Sequence, residues 1–309
     1  SIAGFVYQEA RFGRLRAQAG ARVERNAYDV EPRAGVVDGP DVCIAVVGGC
    51  PPAVRNRAFT GVSASAGLHY DILGSAAIVA NVTRASRAPA LEELYNFGPH
   101  IGNLAFEVGN PDLTTENTLG FDLSLRARRA TAHAEVNVYT YDISDFVFLD
   151  VQDVEVDGLR LAAYQQEDAR FTGIDASAHA ELGTWLHINA DIGMVRAKLS
   201  NTGEHLPRIP PLQGRLEFEI PIGQLTISPE MVMTASQSRV FRDETPTTGA
   251  TVFNIGAMYV LGQQHLTHIF TIEGYNLTDE EYRLHTSFIK DLAPEVGRGL
   301  KATYSVKFF

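Results

Sequence analysis

Apolar and polar residues alternate along most of this chain with a period of two, which is the pattern of strands carrying one apolar and one polar face. Between Leu119 and Ala127 the odd positions read Leu119, Phe121, Leu123, Leu125 and Ala127, while Gly120, Asp122, Ser124 and Arg126 fill the even ones. Leu15, Ala17, Ala19, Ala21 and Val23 alternate in the same way with Arg14, Arg16, Gln18, Arg22 and Glu24. The pattern predicts about thirteen strands. They lie near 2–11, 14–28, 58–70, 75–84, 117–128, 131–142, 169–182, 184–199, 211–220, 223–236, 249–260, 266–276 and 298–309. Many of them exceed the roughly 5–6 residues usual in soluble proteins. They approach the roughly 9–11 residues that a tilted strand needs to cross a bilayer.

The connections sharpen the reading. Short ones fall at Phe12-Gly13, Asp71–Gly74, Arg129-Ala130, Gly183, Pro221-Ile222 and Leu261–His265. Long ones cover 29–57, 85–116, 143–168, 200–210, 237–248 and 277–297, and the two kinds alternate throughout. Strict alternation of turn and loop belongs to strands running up and down through a membrane, with every long loop on one side. A Greek-key sandwich has no reason to sort its loops in this way. The predicted fold class is therefore all-β, a transmembrane antiparallel β-barrel. Its last strand alternates Leu300, Ala302, Tyr304, Val306 and Phe308 with Lys301, Thr303, Ser305 and Lys307 and ends on Phe309. An odd strand count, against the even numbers of bacterial single-chain barrels, makes residues 1–309 the expected C-terminal part of a larger barrel.

Composition narrows the partners. With 45% hydrophobic and 20% charged residues the chain is expected to be ordered. A formal net charge of -11 speaks against a nucleic-acid partner. The sequence lacks any apolar run near the roughly 20 residues of a membrane helix, a test that strands hiding their apolar face in alternate positions would escape. Cys43 and Cys50 share one Gly- and Pro-containing segment, where a disulfide closing a small exposed loop is expected. No G-x-S-x-G elbow, H-E-x-x-H pair or phosphate-cradling glycine loop is present, so no enzyme is expected.

A set of landmarks lies between the fourth and fifth predicted strands: Arg87-Ala88-Pro89, Glu92-Glu93-Leu94-Tyr95, and Phe106-Glu107-Val108-Gly109-Asn110-Pro111-Asp112-Leu113, followed by Glu116. Asn276-Leu277-Thr278-Asp279 with Tyr282 follows the penultimate strand. With these landmarks the chain resembles the TonB-dependent outer-membrane receptors along essentially its whole length. The resemblance implies a barrel of about twenty-two strands around an N-terminal plug, the plug and first strands lying outside residues 1–309. It also implies contact with outer-membrane lipid, a TonB-type energy-transducing complex acting through the plug, and uptake of a scarce nutrient.

Within that family the chain is most similar to the zinc-uptake branch. The similar pieces are Glu93-Leu94-Tyr95 with His100, Phe106-Glu107-Val108-Gly109-Asn110, and His285-Thr286-Ser287-Phe288 leading to Gly297-Arg298. The haem-receptor branch, which also carries a histidine between its Arg-Ala-Pro and Asn-Pro boxes, is the competitor, with a ferric siderophore beside it. No intrinsic cofactor is expected; zinc or haem would be cargo.

His100, His205 and His285 fall in predicted long loops, and imidazole is a usual ligand for zinc and for haem iron. Glu92, Glu93 and Glu107 could complete a zinc sphere. Arg84, Arg87 and Pro89 are expected to fix a loop against the wall, and Asn110-Pro111 to start a turn. His69, His133, His179 and His187 occupy polar strand positions as lumen groups, whereas His265 and His268 fall on opposite strand faces. Tyr139, Tyr141, Trp185 and Tyr304 are candidates for interfacial aromatic girdles, with packing against the plug as the alternative for them. Asp142, Asp145, Asp150, Asp153, Glu155 and Asp157 make 143–168 read as a solvated acidic loop. A passive porin and a membrane hydrolase are the rival classes; the hydrolase would need a catalytic cluster that the sequence does not display.

Overall fold

The computed structural model describes residues 1–30 and 54–308. Cys43 and Cys50 lie outside the described residues. The chain forms β1 (Ile2–Phe12), β2 (Leu15–Tyr28), β3 (Arg57–Leu73), β4 (Ala76–Arg87), the short helix α1 (Leu91–Tyr95), β5 (Phe97–His100) and β6 (Ala105–Val108). Then follow β7 (Glu116–Arg129), β8 (Ala132–Val156), β9 (Leu159–Leu182), β10 (Leu186–Leu199), β11 (Gln213–Ile222) and β12 (Leu225–Thr234). β13 (Ala250–Gln263), β14 (Leu266–Tyr275) and β15 (Gly299–Phe308) complete the sheet. Thirteen strands pair antiparallel with their sequence neighbours in the order β1-β2-β3-β4-β7-β8-β9-β10-β11-β12-β13-β14-β15, a continuous up-and-down wall. β5 and β6 lie off that path; β6 pairs antiparallel with β5 and parallel with β9.

The wall is inside out relative to a water-soluble sheet. On β7 the apolar residues Leu119, Phe121, Leu123 and Leu125 are 45–52% exposed, and among the described residues no layer covers them. The intervening Ser124 is buried, and its hydroxyl donates to Asn137 Oδ1 at 2.9 Å. The same polar face carries Tyr141 donating to Asp122 (2.6 Å) and Arg215 donating to Glu230 (2.6 Å). An uncovered apolar face opposite a hydrogen-bonded polar face is what a barrel wall in lipid requires. The buried apolar residues gather elsewhere. Phe148, Leu199, Leu206 and Phe241 form one cluster, and Phe59, Leu94, Leu113 and Val147 another. Both sit where the long connections meet, so the packed core belongs to a loop layer standing on the wall.

Two expectations require correction. Residues 143–168 are not a solvated loop: β8 and β9 run through them as strands of 25 and 24 residues. They close in a turn at Asp157-Gly158, whose φ angles of 53° and 77° suit a two-residue hairpin turn. Phe146, Val147, Phe148 and Leu149 form an unbroken apolar run there, and Phe148, Val147, Leu149 and Val156 are buried in four separate clusters. Roughly half of each strand therefore stands clear of the hydrocarbon. Two tyrosines also leave the aromatic girdle. Tyr139 and Tyr141 share the polar face of β8 and stack at 5.1 Å, because the outward positions are Val136 and Val138. Trp185, in the turn between β9 and β10, and Tyr304, on the outward phase of β15, are exposed.

Candidate functional site

The segment from Arg87 to Glu116 forms the floor of the loop layer, and its landmarks are mutual contacts. Glu93 accepts from the Ala90 amide (2.8 Å), closing the first turn of α1, and also from Arg87 (3.0 Å). Arg87 reaches the buried Glu116 as well, and Glu116 accepts from the Val147 amide at 2.6 Å. The guanidinium thus ties β4, α1 and the β8 extension together, and its pKa is raised by Glu116 first. Pro89 is fully buried, and its carbonyl accepts from the Tyr28 hydroxyl (2.9 Å). The Asn110 amide donates to the Glu93 carbonyl (2.8 Å), and its side chain accepts from the Asp112 amide (3.0 Å), the side-chain turn expected of Asn-Pro. The Pro111 carbonyl accepts from Arg55.

His100 ends β5 and Glu107 lies in β6, brought together by the β5–β6 register. His100 Nδ1 sits 2.8 Å from Glu107 Oε1. The imidazole is 53% exposed while the Glu107 side chain is 2% exposed. Glu107 also accepts from Asn96 (2.5 Å) and from Asn103. The Asn103 amide nitrogen lies 3.0 Å from the same Nδ1; in the tautomer that donates from Nδ1 to Glu107, the Nε2 lone pair points away from the carboxylate and can serve as a ligand. Of the expected carboxylates only Glu107 touches His100. Glu93 is engaged by Arg87, and Glu92 is exposed at the start of α1. All three nevertheless share a neighbourhood. Burial pushes the Tyr164 pKa up to about 12, helped by the charges of Glu107, Glu93 and Glu92 in that order.

His285 is placed in a different kind of setting. Its side chain is completely enclosed, and Lys290 and Glu244 beside it are also largely buried. Lys290 Nζ donates to Glu244 (2.9 Å) and to the His285 carbonyl (3.3 Å), and lies 3.4 Å from His285 Nδ1. Thr247 reaches the same ring nitrogen at 3.1 Å. His285 Nε2 is 3.4 Å from Glu244 Oε1, yet its direction satisfies no hydrogen bond. Burial by itself would raise the Glu244 pKa, but His285 and Lys290 overcome it and take it down to about 2. An ammonium touching the ring and no open approach make this a knot that joins the β12–β13 and β14–β15 loops, a poor setting for a dication. His205 pairs with Lys198 beside the wall, and its pKa is lowered by burial.

Between these two centres lies a cleft of about 390 Å³. The β8–β9 tip (Glu155, Leu159, Arg160), Asn103 beside His100, Arg208 and Phe288 are among its walls. Sequence reasoning missed Glu244, Lys290, Asn103 and Arg208. Each is separated from its partner by a turn or by whole strands and carries no local motif. Among the described residues no group of three or more His, Cys, Asp or Glu is arranged to hold a metal ion. His100 and Glu107 are the one pair of predicted site residues from the expected zinc sphere that meet.

A sheet with an uncovered apolar face, a polar reverse face and a roofed loop layer defines the chain as a large membrane β-barrel wall. Residues 1–277 match the family of TonB dependent receptor-like β-barrels, and the chain belongs to that family. Among solved structures it is similar to the copper transporter OprC, at 22% identity and a TM-score of 0.80, over 99% of this chain and 47% of that one. It is also similar to the FrpB iron transporter of Neisseria meningitidis (13% identity, TM-score 0.68, 98% of this chain and 44% of that). A third likeness is to the ferric preacinetobactin receptor BauA of Acinetobacter baumannii, at 16% identity and a TM-score of 0.68, over 98% of this chain and 42% of that one. The chain thus spans less than half the length of each of these three structures.

Proposed function

We propose that this chain forms the wall and part of the loop mouth of an energised importer of a metal ion or metal chelate in a bacterial outer membrane. It would act with a plug outside residues 1–309 and a TonB-type energy-transducing complex. The observation that carries the metal reading is His100. Its Nδ1 is tethered by a buried carboxylate that two asparagines hold in place, and its Nε2 is left open beside the loop cleft. Such a carboxylate–histidine pair orients the ring and raises its basicity toward a metal. Family membership supports the transport class, and solved relatives of this fold are described as copper and iron transporters or receptors. Zinc suits the exposed nitrogen ligand first, with haem or a ferric chelate second. The test is titration of the full-length receptor in detergent with zinc chloride and, separately, with haemin. The expected outcome is zinc binding weakened about tenfold or more by His100→Ala and by Glu107→Gln. Haemin binding that alone depends on His100 would move the cargo to haem. Binding indifferent to both substitutions would remove the pair from the site.

A further inference from the structure

Where the outward face of the wall ends on the loop side, β8, β9 and β10 replace apolar side chains with cations. The register sets the rows. Val138, Ile174 and Met194 face outward at one height, followed by Thr140, Thr172 and Arg196, and then by Asp142, Arg170 and Lys198. Arg170, Arg196 and Lys198 are exposed, while their chain neighbours Ala169, Ala197 and Leu199 are buried in the loop layer. The three cations therefore stand on the side away from the cleft. At the turn end of the same strands the outward positions are Ala132, Ala180, Leu182 and Leu186, all uncharged.

These cations outnumber their partners. Arg170 donates to Asp142, and the neighbouring Asp168 accepts from the Asp145 amide (3.0 Å). Among the described residues Arg196 and Lys198 have no ion pair. Lys198 instead lies directly opposite Arg170, and like charges directly opposite on adjacent strands destabilise a sheet. On its other side Lys198 bridges to His205. Burial lowers the His205 pKa, and the charges of Lys198 and of the exposed Arg239 lower it further. Positive potential thus extends from the strand ends into the adjoining loops.

We propose that this patch binds the phosphate of an acidic membrane lipid in the leaflet on the loop side of the wall. The acyl chains lie along the exposed Ile174 and Ile192, and the phosphate accepts from Arg196 and Lys198 at the level where the apolar band ends. Long cationic side chains suit that level, since their stems cover hydrocarbon while their heads stay with the polar headgroups. A bound phosphate also relieves the opposition of Lys198 and Arg170. The proposal rests on the outward face meeting lipid and is independent of the cargo.

The test uses the full-length receptor, delipidated in a non-ionic detergent, with bound lipid counted by native mass spectrometry. The probe is dioleoylphosphatidic acid, and dioleoylphosphatidylcholine is the twin whose phosphate is masked by a cation. Wild type is expected to prefer phosphatidic acid, and replacing Arg196 and Lys198 by glutamine to weaken its binding about fivefold for each cation removed. Arg129→Gln, which removes an exposed cation at the turn end of β7, and His100→Ala are expected to change nothing. Without lipid, Lys198→Gln is expected to melt no lower than wild type, because it removes a repulsion; with phosphatidic acid present it should melt lower. Equal binding of the two lipids by wild type, an undiminished preference in the double variant, or an equal loss in Arg129→Gln overturns the proposal. So does displacement of the lipid by an equal concentration of inorganic phosphate, which would assign the cations to a free anion. Should the preference be absent while Leu123→Arg is still costly in vesicles, the lipid site alone fails and the orientation of the wall stands.

Discussion

At the scale of single residues, two charged groups in the loop layer illustrate two uses of burial. Glu107 spends its two oxygens on Asn96, Asn103 and His100, which points an imidazole outward. Glu244 joins Lys290, two backbone amides and the neighbourhood of His285, and serves the loops themselves. Its pKa in the folded protein, about 2, lies below the ordinary 4.5. A depressed carboxylate contributes stability that is complete above its unfolded pKa and is lost as pH falls through the folded one. Up to about 3 kcal/mol is at stake. Acidification from about pH 5 towards 2 is therefore expected to loosen the 241–249 and 285–292 segments before the wall. Hydrogen exchange or limited proteolysis of those segments against pH would measure it. In Glu244→Gln the loops should already be loose at neutral pH and respond little to acid.

Elements show where sequence reading succeeds and where it fails. The wall strands were legible because period-two alternation is local and each residue declares its own face: Leu123 outward, Ser124 inward. The β8–β9 extension was misread as loop because its acidic residues outweighed the Asp157-Gly158 turn signal, which was present in the sequence. The floor between β4 and β7 could be recognised as a set of landmarks, but its geometry could not. α1 is only five residues long and depends on contacts with Gly109 and Asn110, just past β6. Gly109 marks that docking. A Cβ there would lie 2.6–2.7 Å from the backbone of Leu94, Tyr95 and Asn96. Gly109→Ala is accordingly expected to push α1 off the 109–110 segment at a cost of about 1–3 kcal/mol. The change would appear as faster hydrogen exchange across 90–96 with the wall strands unaffected. Because Glu93 and Asn96 belong to this unit, the same variant should weaken any ligand binding that depends on His100.

For the whole molecule, the orientation of the two faces of the wall is the claim on which the rest depends, and adjacent residues can decide it. Leu123 and Ser124 share one strand of the wall, one side chain uncovered and the other buried in a hydrogen bond to Asn137. In water, replacing an uncovered leucine by arginine alters stability by less than about 0.5 kcal/mol. In a bilayer the same change near the midplane costs about 2–4 kcal/mol. Leu123→Arg in the full-length receptor is therefore expected to destabilise it by that larger amount in phospholipid vesicles, measured by urea titration of reversible folding. Ser124→Ala should cost about 1 kcal/mol, the worth of one hydrogen bond, whatever surrounds the outer face. A neutral Leu123→Arg in vesicles would mean that this face does not meet lipid, and the loop layer would then lose its footing as the mouth of a membrane importer. A large penalty confined to the outward positions would instead tie the alternation along the chain directly to the solvent on each side of the wall. The cleft beneath the loops would then open at the membrane surface, where cargo arrives.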